Sequence, residues 1–270
     1  MLLVPSAPKD YCEGIRLRCS MPGLKADIER QLQRQSLWMK DYWLWLLRTQ
    51  ILKYFEPSSV KPTALDVGCG PGFVLEQLSP VMKITGIDID RGMVKACKAK
   101  GLDVKIADAR DLPYNDNSFD IAYCSFLLLW VPDPQKVISE MKRVSSHAIV
   151  CFAEPDFGAR LDYPDELSEL RDLIVEGIKE EGGDPLIGRK LRSLFNACGL
   201  KAKMGVHPGI WSIDRLKEEA GNEWRWIEMT VSRRLDKTRL ERLRTIWMRS
   251  AESGELFQFN PIFYAYAKKR

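Results

Sequence analysis

A glycine-rich loop beside an acidic residue is the part of the chain whose residue types most clearly suggest chemistry. The loop lies in LDVGCGPG, residues 65–72, and its glycines are Gly68, Gly70 and Gly72. Glycine lets the backbone turn sharply and bring its amides close to a ligand. Cys69 lies inside the loop. Asp66 precedes it, where a carboxylate could bind a cationic amine directly or through water. The pattern predicts a ligand-binding turn.

Two further aspartates end the next two predicted strands. Asp88 ends KITGID (83–88), and Asp108 ends LDVKIAD (102–108). The carboxyl ends of neighbouring parallel strands meet in one crevice of a doubly wound sheet. A carboxylate at 88 could accept both hydroxyls of a ribose, and one at 108 could accept the exocyclic amine of adenine. The three aspartates together predict a site for a nucleoside.

Short apolar runs alternate with helical stretches after residue 62, and this order would position the aspartates. Buried strands are predicted at 63–68, 83–88, 102–108, 119–126 and 147–153, with helices around 72–80, 91–100 and 133–145. Such alternation predicts a parallel sheet with right-handed crossovers. Two later runs, 200–206 and 259–269, predict further strands.

These residues resemble those of class I S-adenosylmethionine-dependent methyltransferases, in the group that methylates small molecules and quinones. The resemblance covers about 60–155 and the final strand, FYAYAKK. It implies a Rossmann-like α/β fold with a seven-stranded, mostly parallel sheet and an antiparallel final strand. It also implies that S-adenosylmethionine is the cofactor and S-adenosylhomocysteine the product. Leu129 stands where the family often has a histidine, so no argument is drawn from that histidine.

The resemblance implies a role in cofactor binding for twelve residues. The glycine loop would hold the methionine moiety, Asp88 the ribose, and Asp108 with Ala109 the adenine. Cys124 and Ser125, at the end of the fourth strand, would line the sulfonium side. The full set is Asp66, Gly68, Cys69, Gly70, Gly72, Asp88, Ile89, Met93, Asp108, Ala109, Cys124 and Ser125.

A dinucleotide-binding turn is the alternative for the glycine loop. That motif, G-x-G-x-x-G, requires a glycine at position 73, where this chain has Phe73. A dinucleotide would also present its pyrophosphate to the helix N-terminus. The nearby carboxylate of Asp66 suits a cationic aminopropyl group better, which favours the methyltransferase.

The stretch EPDFGARLDYP, residues 154–164, follows the fifth predicted strand and carries the candidate catalytic residues. Methyl transfer from a sulfonium mainly requires orientation and exclusion of water, and an amine or oxygen nucleophile can also need a base. Glu154, Asp156 and Tyr163 are the candidates. The alternative is a structural loop whose acids cap the next helix and pair with Arg160. No cluster with metal-ligand spacing is evident, and His147 and His207 are expected to be structural or solvated.

The domain prediction places an N-terminal helical cap at 1–56 and a methyltransferase domain at 57–270, with a helical insert at about 212–256. The cap is expected to hold two helices, the second capped by Ser36. Aromatic residues of the cap and insert could form a lid over the substrate or simply pack as core. Arg48 and Tyr42 could reach the cofactor carboxylate. These aromatics are Trp38, Tyr42, Trp43, Trp45, Trp211, Trp224, Trp226 and Trp247.

Composition narrows the class of protein. The net charge of +4 is too small to indicate nucleic-acid binding by itself. The chain shows no signal peptide and no apolar run long enough for a membrane span, which predicts a cytoplasmic protein. Seven cysteines without C-x-x-C argue against disulfides and zinc. The basic helix at 233–249 is expected to be a solvated face, with an RNA or acidic-protein contact as the alternative.

The predicted function is methyl transfer to a small molecule. The alternative is a protein side chain or RNA as acceptor. CSFLLLW after the fourth strand lacks the N/D-P-P-Y/F motif of base-amine methyltransferases. A binding protein that holds the cofactor without turnover is a third hypothesis, which the intact loop and aspartates disfavour. Oligomeric state is not predicted.

Overall fold

The computed structural model describes residues 22–55 and 60–269. Residues 1–21 and 56 of the predicted cap, and 57–59 of the sequence that follows it, lie outside the described residues. The proposed division at 56/57 therefore stays a prediction.

The described chain contains nine strands, seven of which form one sheet in the order β3-β2-β1-β4-β5-β9-β7. Strand β9 runs antiparallel to both of its neighbours, and the other pairs along β3 to β5 are parallel. The predicted seven-stranded, mostly parallel sheet is thus confirmed. The strands are β1 (Thr63–Val67), β2 (Lys83–Asp88), β3 (Val104–Ile106), β4 (Phe119–Cys124), β5 (Ser145–Pro155), β6 (Leu161–Tyr163), β7 (Lys203–Val206), β8 (Phe257–Phe259) and β9 (Ile262–Lys268).

Strand order reverses between β1 and β4, which is where ligands bind in open α/β sheets. Strands β6 and β8 form a separate antiparallel ribbon. The sequence patterns did not predict this ribbon, since both strands are only three residues long.

Eight α-helices surround the sheet in the described chain. They are α1 (Pro22–Leu46), α2 (Phe73–Leu78), α3 (Arg91–Ala99), α4 (Pro134–Val144), α5 (Leu170–Glu180), α6 (Ile187–Ala197), α7 (Ile213–Val231) and α8 (Lys237–Ser253). The alternating side chains of the strands separate two apolar cores. One core packs against α1, α2 and α3, and the other against α4 to α8.

Helix α1 corrects the prediction of two helices in the cap. It runs unbroken through Ser36 and continues into a π-helical turn, Leu47–Ile51, and a 3-10 turn, Leu52–Tyr54. Ser36 does not cap a helix; its hydroxyl donates to the Gln33 carbonyl oxygen (2.7 Å) and accepts from Gln77 Nε2 (2.9 Å). Helix α1 is thereby tied to α2, beside the glycine loop.

The predicted insert, about 212–256, contains α7 and α8 and ends just before β8. Side chains of Ser212 and Asp236 cap the two helices by accepting from backbone amides three residues on. Helix α7 packs closely on α5, since a Cβ added at Gly177 would lie 2.4 Å from the Thr230 carbonyl oxygen. The insert is therefore a packed layer over the domain.

Candidate functional site

A cavity of about 890 Å³ opens at the carboxyl ends of β1, β2 and β4. Its floor includes the glycine loop and Asp88, and its opposite walls come from α1 and α7. This volume lies near the upper end of the roughly 300–1,000 Å³ typical of small-molecule sites. The cavity is thus large enough for more than one small ligand.

The glycine loop is shaped by three residues in the left-handed region. Gly68, Gly70 and Gly72 have φ of 75°, 52° and 84°, a conformation that side chains with a Cβ disfavour. The amides of Gly68 and Cys69 both donate to the Ile87 carbonyl oxygen (2.8 Å each). Gly70 lines the cavity, and a Cβ added there would meet no atom within 4 Å, so the loop leaves open space at that residue.

Asp88 links the glycine loop to the start of α3. Its Oδ2 accepts from the Gly70 amide and its Oδ1 from the Asp90 amide, each over 2.8 Å. Burial raises the pKa of Asp88, and these two amides partly offset that effect. Each oxygen keeps a further lone pair, so the carboxylate can still accept hydroxyl donors from a ligand in the cavity.

Asp66 lies beneath the loop and does not line the cavity. It is 1% exposed, and its Oδ2 has no hydrogen-bond partner among the described residues. Burial raises the pKa of Asp66 to about 8, while the neighbouring Tyr123 hydroxyl lowers it and the charge of Asp88 raises it. An unpartnered buried carboxyl oxygen carries a cost that a cationic ligand group would relieve.

The adenine side of the predicted site is formed by the residues after β2 and β3. Ile89, Met93, Asp108 and Ala109 all line the cavity. The guanidinium of Arg110 binds both oxygens of Asp108, at 3.0 Å from Nε and 2.7 Å from Nη2. That hydrogen bond holds the pKa of Asp108 below its usual range, so its carboxylate is charged at neutral pH.

The two predicted cofactor residues at the end of β4 lie at different depths. Ser125 lines the cavity, and its buried Oγ has no hydrogen-bond partner among the described residues. Cys124 is fully buried beneath it, with its Sγ 3.6 Å from Cys151 Sγ. Phe126 has φ of 54°, which is a strained conformation for a bulky residue. A hydrogen bond from its amide to the Ala153 carbonyl oxygen (2.7 Å) stabilises this conformation.

Glu154 takes a different position from the one expected for a catalytic base. It is fully buried, does not line the cavity, and accepts from the amides of Leu127 (3.1 Å), Leu128 (3.0 Å) and Leu129 (3.3 Å). Burial raises the pKa of Glu154 to about 8, and the three amides lower it. Its contacts fix the turn after β4, whose residues do reach the cavity.

We expect the Glu154→Gln variant to have a melting temperature that depends less on pH. The folded protein retains a proton on Glu154 that the unfolded chain loses as the pH rises from about 4.5 to about 8. This group therefore lowers stability progressively across that window, whereas glutamine does not titrate. Thermal unfolding at about pH 5 and about pH 8 measures the difference, with the exposed Glu166→Gln as control. The same pH slope in Glu154→Gln and wild type would contradict the assignment.

The other two catalytic candidates also lie outside the cavity lining. Asp156 is buried, and Arg189 binds it with Nε (2.5 Å) and Nη2 (2.8 Å). Tyr163 is 48% exposed on the β6–β8 ribbon. Arg160 pairs with Asp162. These contacts match the structural alternative for this loop in part, because its acids pair with arginines.

Some of the aromatic residues of α1 and the insert line the cavity, and others belong to the core. Five of them line the cavity: Trp38, Tyr42, Trp43, Trp211 and Trp226. Trp224 and Trp247 are core residues, with Trp247 Nε1 donating to the Ala220 carbonyl oxygen (3.0 Å), and Trp45 is 51% exposed. Arg48, in the π-helical turn after α1, does not line the cavity, but Arg34 on α1 does.

His207 lines the cavity, whereas the sequence predicted only a structural or solvated role for it. It is 3% exposed, and its Nε2 lies 2.7 Å from the Phe152 carbonyl oxygen. A carbonyl oxygen only accepts, so Nε2 carries the proton. Burial lowers the pKa of His207, which leaves the ring neutral with Nδ1 as its acceptor. Its place directly after β7, at the carboxyl edge of the sheet, was the available sequence signal.

The described residues contain no group of three histidine, cysteine or acidic side chains placed to hold a metal ion. Within the same residues, no helix combines the length and apolar character needed to cross a bilayer.

Comparisons with known proteins agree with this arrangement. Residues 65–148 match the family model described as a methyltransferase domain. The chain is 34% identical over 150 residues to an uncharacterized transposon protein of Streptomyces fradiae, covering 51% of this chain and 43% of that one. It is 37% identical over 93 residues to a demethylmenaquinone methyltransferase of Oceanobacillus iheyensis, covering 30% and 39%. The chain thus spans about half or less of the length of these relatives.

Two solved structures share the fold. A candidate methyltransferase from Bacillus halodurans has a TM-score of 0.53 at 15% identity, covering 81% of this chain and 96% of that one. A phosphoethanolamine N-methyltransferase of Haemonchus contortus, solved with phosphomonomethylethanolamine and S-adenosylhomocysteine, has a TM-score of 0.50 at 18% identity, covering 84% and 53%.

Proposed function

We propose that the chain is an S-adenosylmethionine-dependent methyltransferase that transfers a methyl group to a small-molecule acceptor, and its match to a methyltransferase domain over residues 65–148 supports this. The observation that carries the proposal is the joining of the glycine loop to Asp88 at the floor of one large cavity. The open space at Gly70 and the unpartnered oxygens of Asp66 and Ser125 fit a nucleoside with a cationic amino acid tail.

The proposal assigns distinct parts of the cofactor to the residues around the loop. Asp66, which lies beneath the loop, would hold the amino group through a bridging water, and the amides around Gly70 would face the carboxylate end. Asp88 would accept the ribose hydroxyls. Asp108, Ala109, Ile89 and Met93 would surround the adenine, and Ser125 the sulfonium side. Gly68, Cys69 and Gly72 would shape the loop, and Cys124 would support Ser125 from below.

When bound, the cofactor supplies a methyl group on a sulfonium, which is a strong leaving group. The chain's own contribution is to orient the acceptor and to exclude water. The walls formed by α1 and α7 suit both tasks, because aromatic side chains line them. Glu154 and Asp156 would support the neighbouring loops through their hydrogen bonds, and none of Glu154, Asp156 and Tyr163 lines the cavity.

A small molecule is the favoured acceptor because side chains of α1 and α7 line the cavity together with the glycine loop. The demethylmenaquinone methyltransferase relative acts on a small molecule by its name, which supports the same class. A protein side chain or RNA is the competing acceptor.

We expect Asp88→Ala to weaken S-adenosylhomocysteine binding by about 10- to 100-fold, or roughly 1–3 kcal/mol. The change removes a charged acceptor of ribose hydroxyls and also frees the Gly70 amide that Asp88 holds. Titration calorimetry measures the dissociation constant. Asp172→Ala, at an exposed aspartate on α5, is the control and should bind as wild type does. An unchanged constant in Asp88→Ala would remove the ribose assignment.

The function itself is tested in two steps. Calorimetry with S-adenosylmethionine, S-adenosylhomocysteine and NADH should give binding of the two adenosyl compounds and none of NADH. Transfer of labelled methyl from S-adenosylmethionine is then assayed in small-molecule, protein and RNA fractions of a cell extract. Label confined to the protein or RNA fraction would overturn the small-molecule acceptor, and binding of NADH alone would overturn the enzyme class.

A further inference from the structure

A buried arginine at the base of the insert has one nitrogen without a partner. Arg160 is 1% exposed, and its Nε and Nη2 donate to the two carboxylate oxygens of Asp162, each over 2.8 Å. Its Nη1 has no hydrogen-bond partner among the described residues, although Arg160 borders the cavity. Leaving a charged donor buried and unsatisfied is unfavourable. A ligand in the cavity would be a source of the missing acceptor.

Two amide side chains near Arg160 also have buried oxygens without partners. Gln258 pairs with Asp162 across the β6–β8 ribbon, and Asn260 follows β8. Gln258 Oε1 and Asn260 Oδ1 have no hydrogen-bond partner in the described chain, and both residues line the cavity. The side chain of Gln258 also hydrogen-bonds Glu223, to which only its NH2 group can donate. The guanidinium of Arg160 only donates. At Arg160 itself the preference is therefore for a ligand oxygen.

Arginines already occupy the ring faces of two cavity residues, Trp38 and Trp211, that could otherwise hold a cationic ligand. Arg34 Cζ lies 4.6 Å from the Trp38 ring centroid, and Arg215 Cζ lies 5.6 Å from that of Trp38 and 4.8 Å from that of Trp211. Glu223, the buried acid on this side, is paired with Arg34 (3.3 Å), and the charge of Arg160 also stabilises its carboxylate. An ammonium ligand would meet guanidinium groups where it would need free ring faces.

A planar ligand finds a matching wall in the same region. Phe157 and Trp226 stack with centroids 5.5 Å apart and an interplanar angle of 23°, and both line the cavity. Their rings offer flat apolar surface close to Arg160, which directly follows the 3-10 turn that contains Phe157. Flat apolar surface beside a cationic donor suits an aromatic or quinonoid skeleton that carries an oxyanion.

We propose that the acceptor is a planar, apolar molecule with a carboxylate, phenolate or enolate oxygen bound at Arg160, and that cationic amines are poor acceptors. This inference rests on the proposed function, since it names the substrate class of the same cavity. It separates this chain from the phosphoethanolamine N-methyltransferase that shares its fold.

The test uses three ligands with one ring system and three charges: 2-naphthoate, 2-naphthamide and 2-(aminomethyl)naphthalene in its ammonium form. Each is titrated into the protein by calorimetry, with and without saturating S-adenosylhomocysteine. We expect 2-naphthoate to bind at least about tenfold more tightly than the ammonium ligand, with the amide between them. Equal or tighter binding of the ammonium ligand would overturn the proposal.

Variants of Arg160 test whether this residue causes the preference for 2-naphthoate. Arg160→Met should remove the advantage of 2-naphthoate over 2-naphthamide. Because it would leave Asp162 buried and unpaired, it is also combined with Asp162→Asn. Arg192→Met, an exposed change of the same charge on α6, should retain the full preference. A naphthoate advantage that persists in the folded double variant would contradict the role of Arg160.

The failure of this inference is distinguishable from that of the proposed function. If the wild-type protein did not bind S-adenosylhomocysteine, the proposed function would be refuted. The ligand series measured without S-adenosylhomocysteine would still test the charge preference. Normal S-adenosylhomocysteine binding without a preference for 2-naphthoate would refute the acceptor class alone.

Discussion

Gly70→Ala should weaken S-adenosylhomocysteine binding by roughly 10- to 100-fold, or about 1.4–2.7 kcal/mol. Gly70 has φ of 52°, lines the cavity, and has no atom within 4 Å of the position of an added Cβ. A methyl group there would stand where the backbone must approach a ligand. Overpacking of a close-fitting site by one carbon typically costs about 1–3 kcal/mol. Calorimetry gives the dissociation constant directly.

Gly101→Ala is a closely matched control. Gly101 has φ of 77°, and a Cβ added there also meets no atom within 4 Å. It lies after α3 and outside the cavity lining. Both variants should lose a similar amount of stability, about 1 kcal/mol, from the left-handed backbone. Equal binding by both variants would show that the space at Gly70 is not used by the cofactor.

Binding of S-adenosylhomocysteine at neutral pH should release up to about one proton per site. Burial raises the pKa of Asp66 to about 8, so its carboxyl is mostly protonated before the ligand binds. An ammonium group beside it favours the charged form and lowers the pKa. The proton leaves as the ion pair forms. The binding enthalpy measured in buffers of different ionisation enthalpy gives the number of protons released.

Asp66→Asn separates this proton from those of other groups. The change keeps the shape of the side chain but removes its titration, so the dependence on buffer should fall toward zero. Wild-type affinity should also rise as the pH increases toward about 8, because less work is then needed to ionise Asp66. The same proton release from Asp66→Asn and wild type would assign the proton to another group, such as the neighbouring Asp88.

The sheet was predictable because its signals are local. Each strand is a short apolar run. Because helical stretches alternate with the strands between β1 and β5, these strands are expected to pair in parallel. The convergence of Asp88 and Asp108 on one edge follows from that arrangement. The depth of each side chain does not, which is why Asp66 was expected in the crevice and lies beneath it.

The errors arose where distant segments decide the outcome. Ser36 is a residue type that often caps helices, but here it lies inside one long helix, where its hydroxyl accepts a hydrogen bond from Gln77. The burial of Glu154 was not predictable either, because nothing in its own segment reveals that the amides of 127–129 donate to it. The space at Gly70 and the unpaired nitrogen of Arg160 are likewise properties of the packed chain.

Strand β9 pairs with β5 and β7 on its two sides, yet it is made about 110 residues after β5 ends. At roughly 5–20 residues per second, a ribosome needs about 6 to 20 seconds to supply it. During that interval the nascent chain has a bare edge on β5, in the middle of the future sheet, where it can pair with other polypeptides. Protection of that edge during synthesis, rather than the final stability of the domain, would then limit how much of this protein a cell obtains.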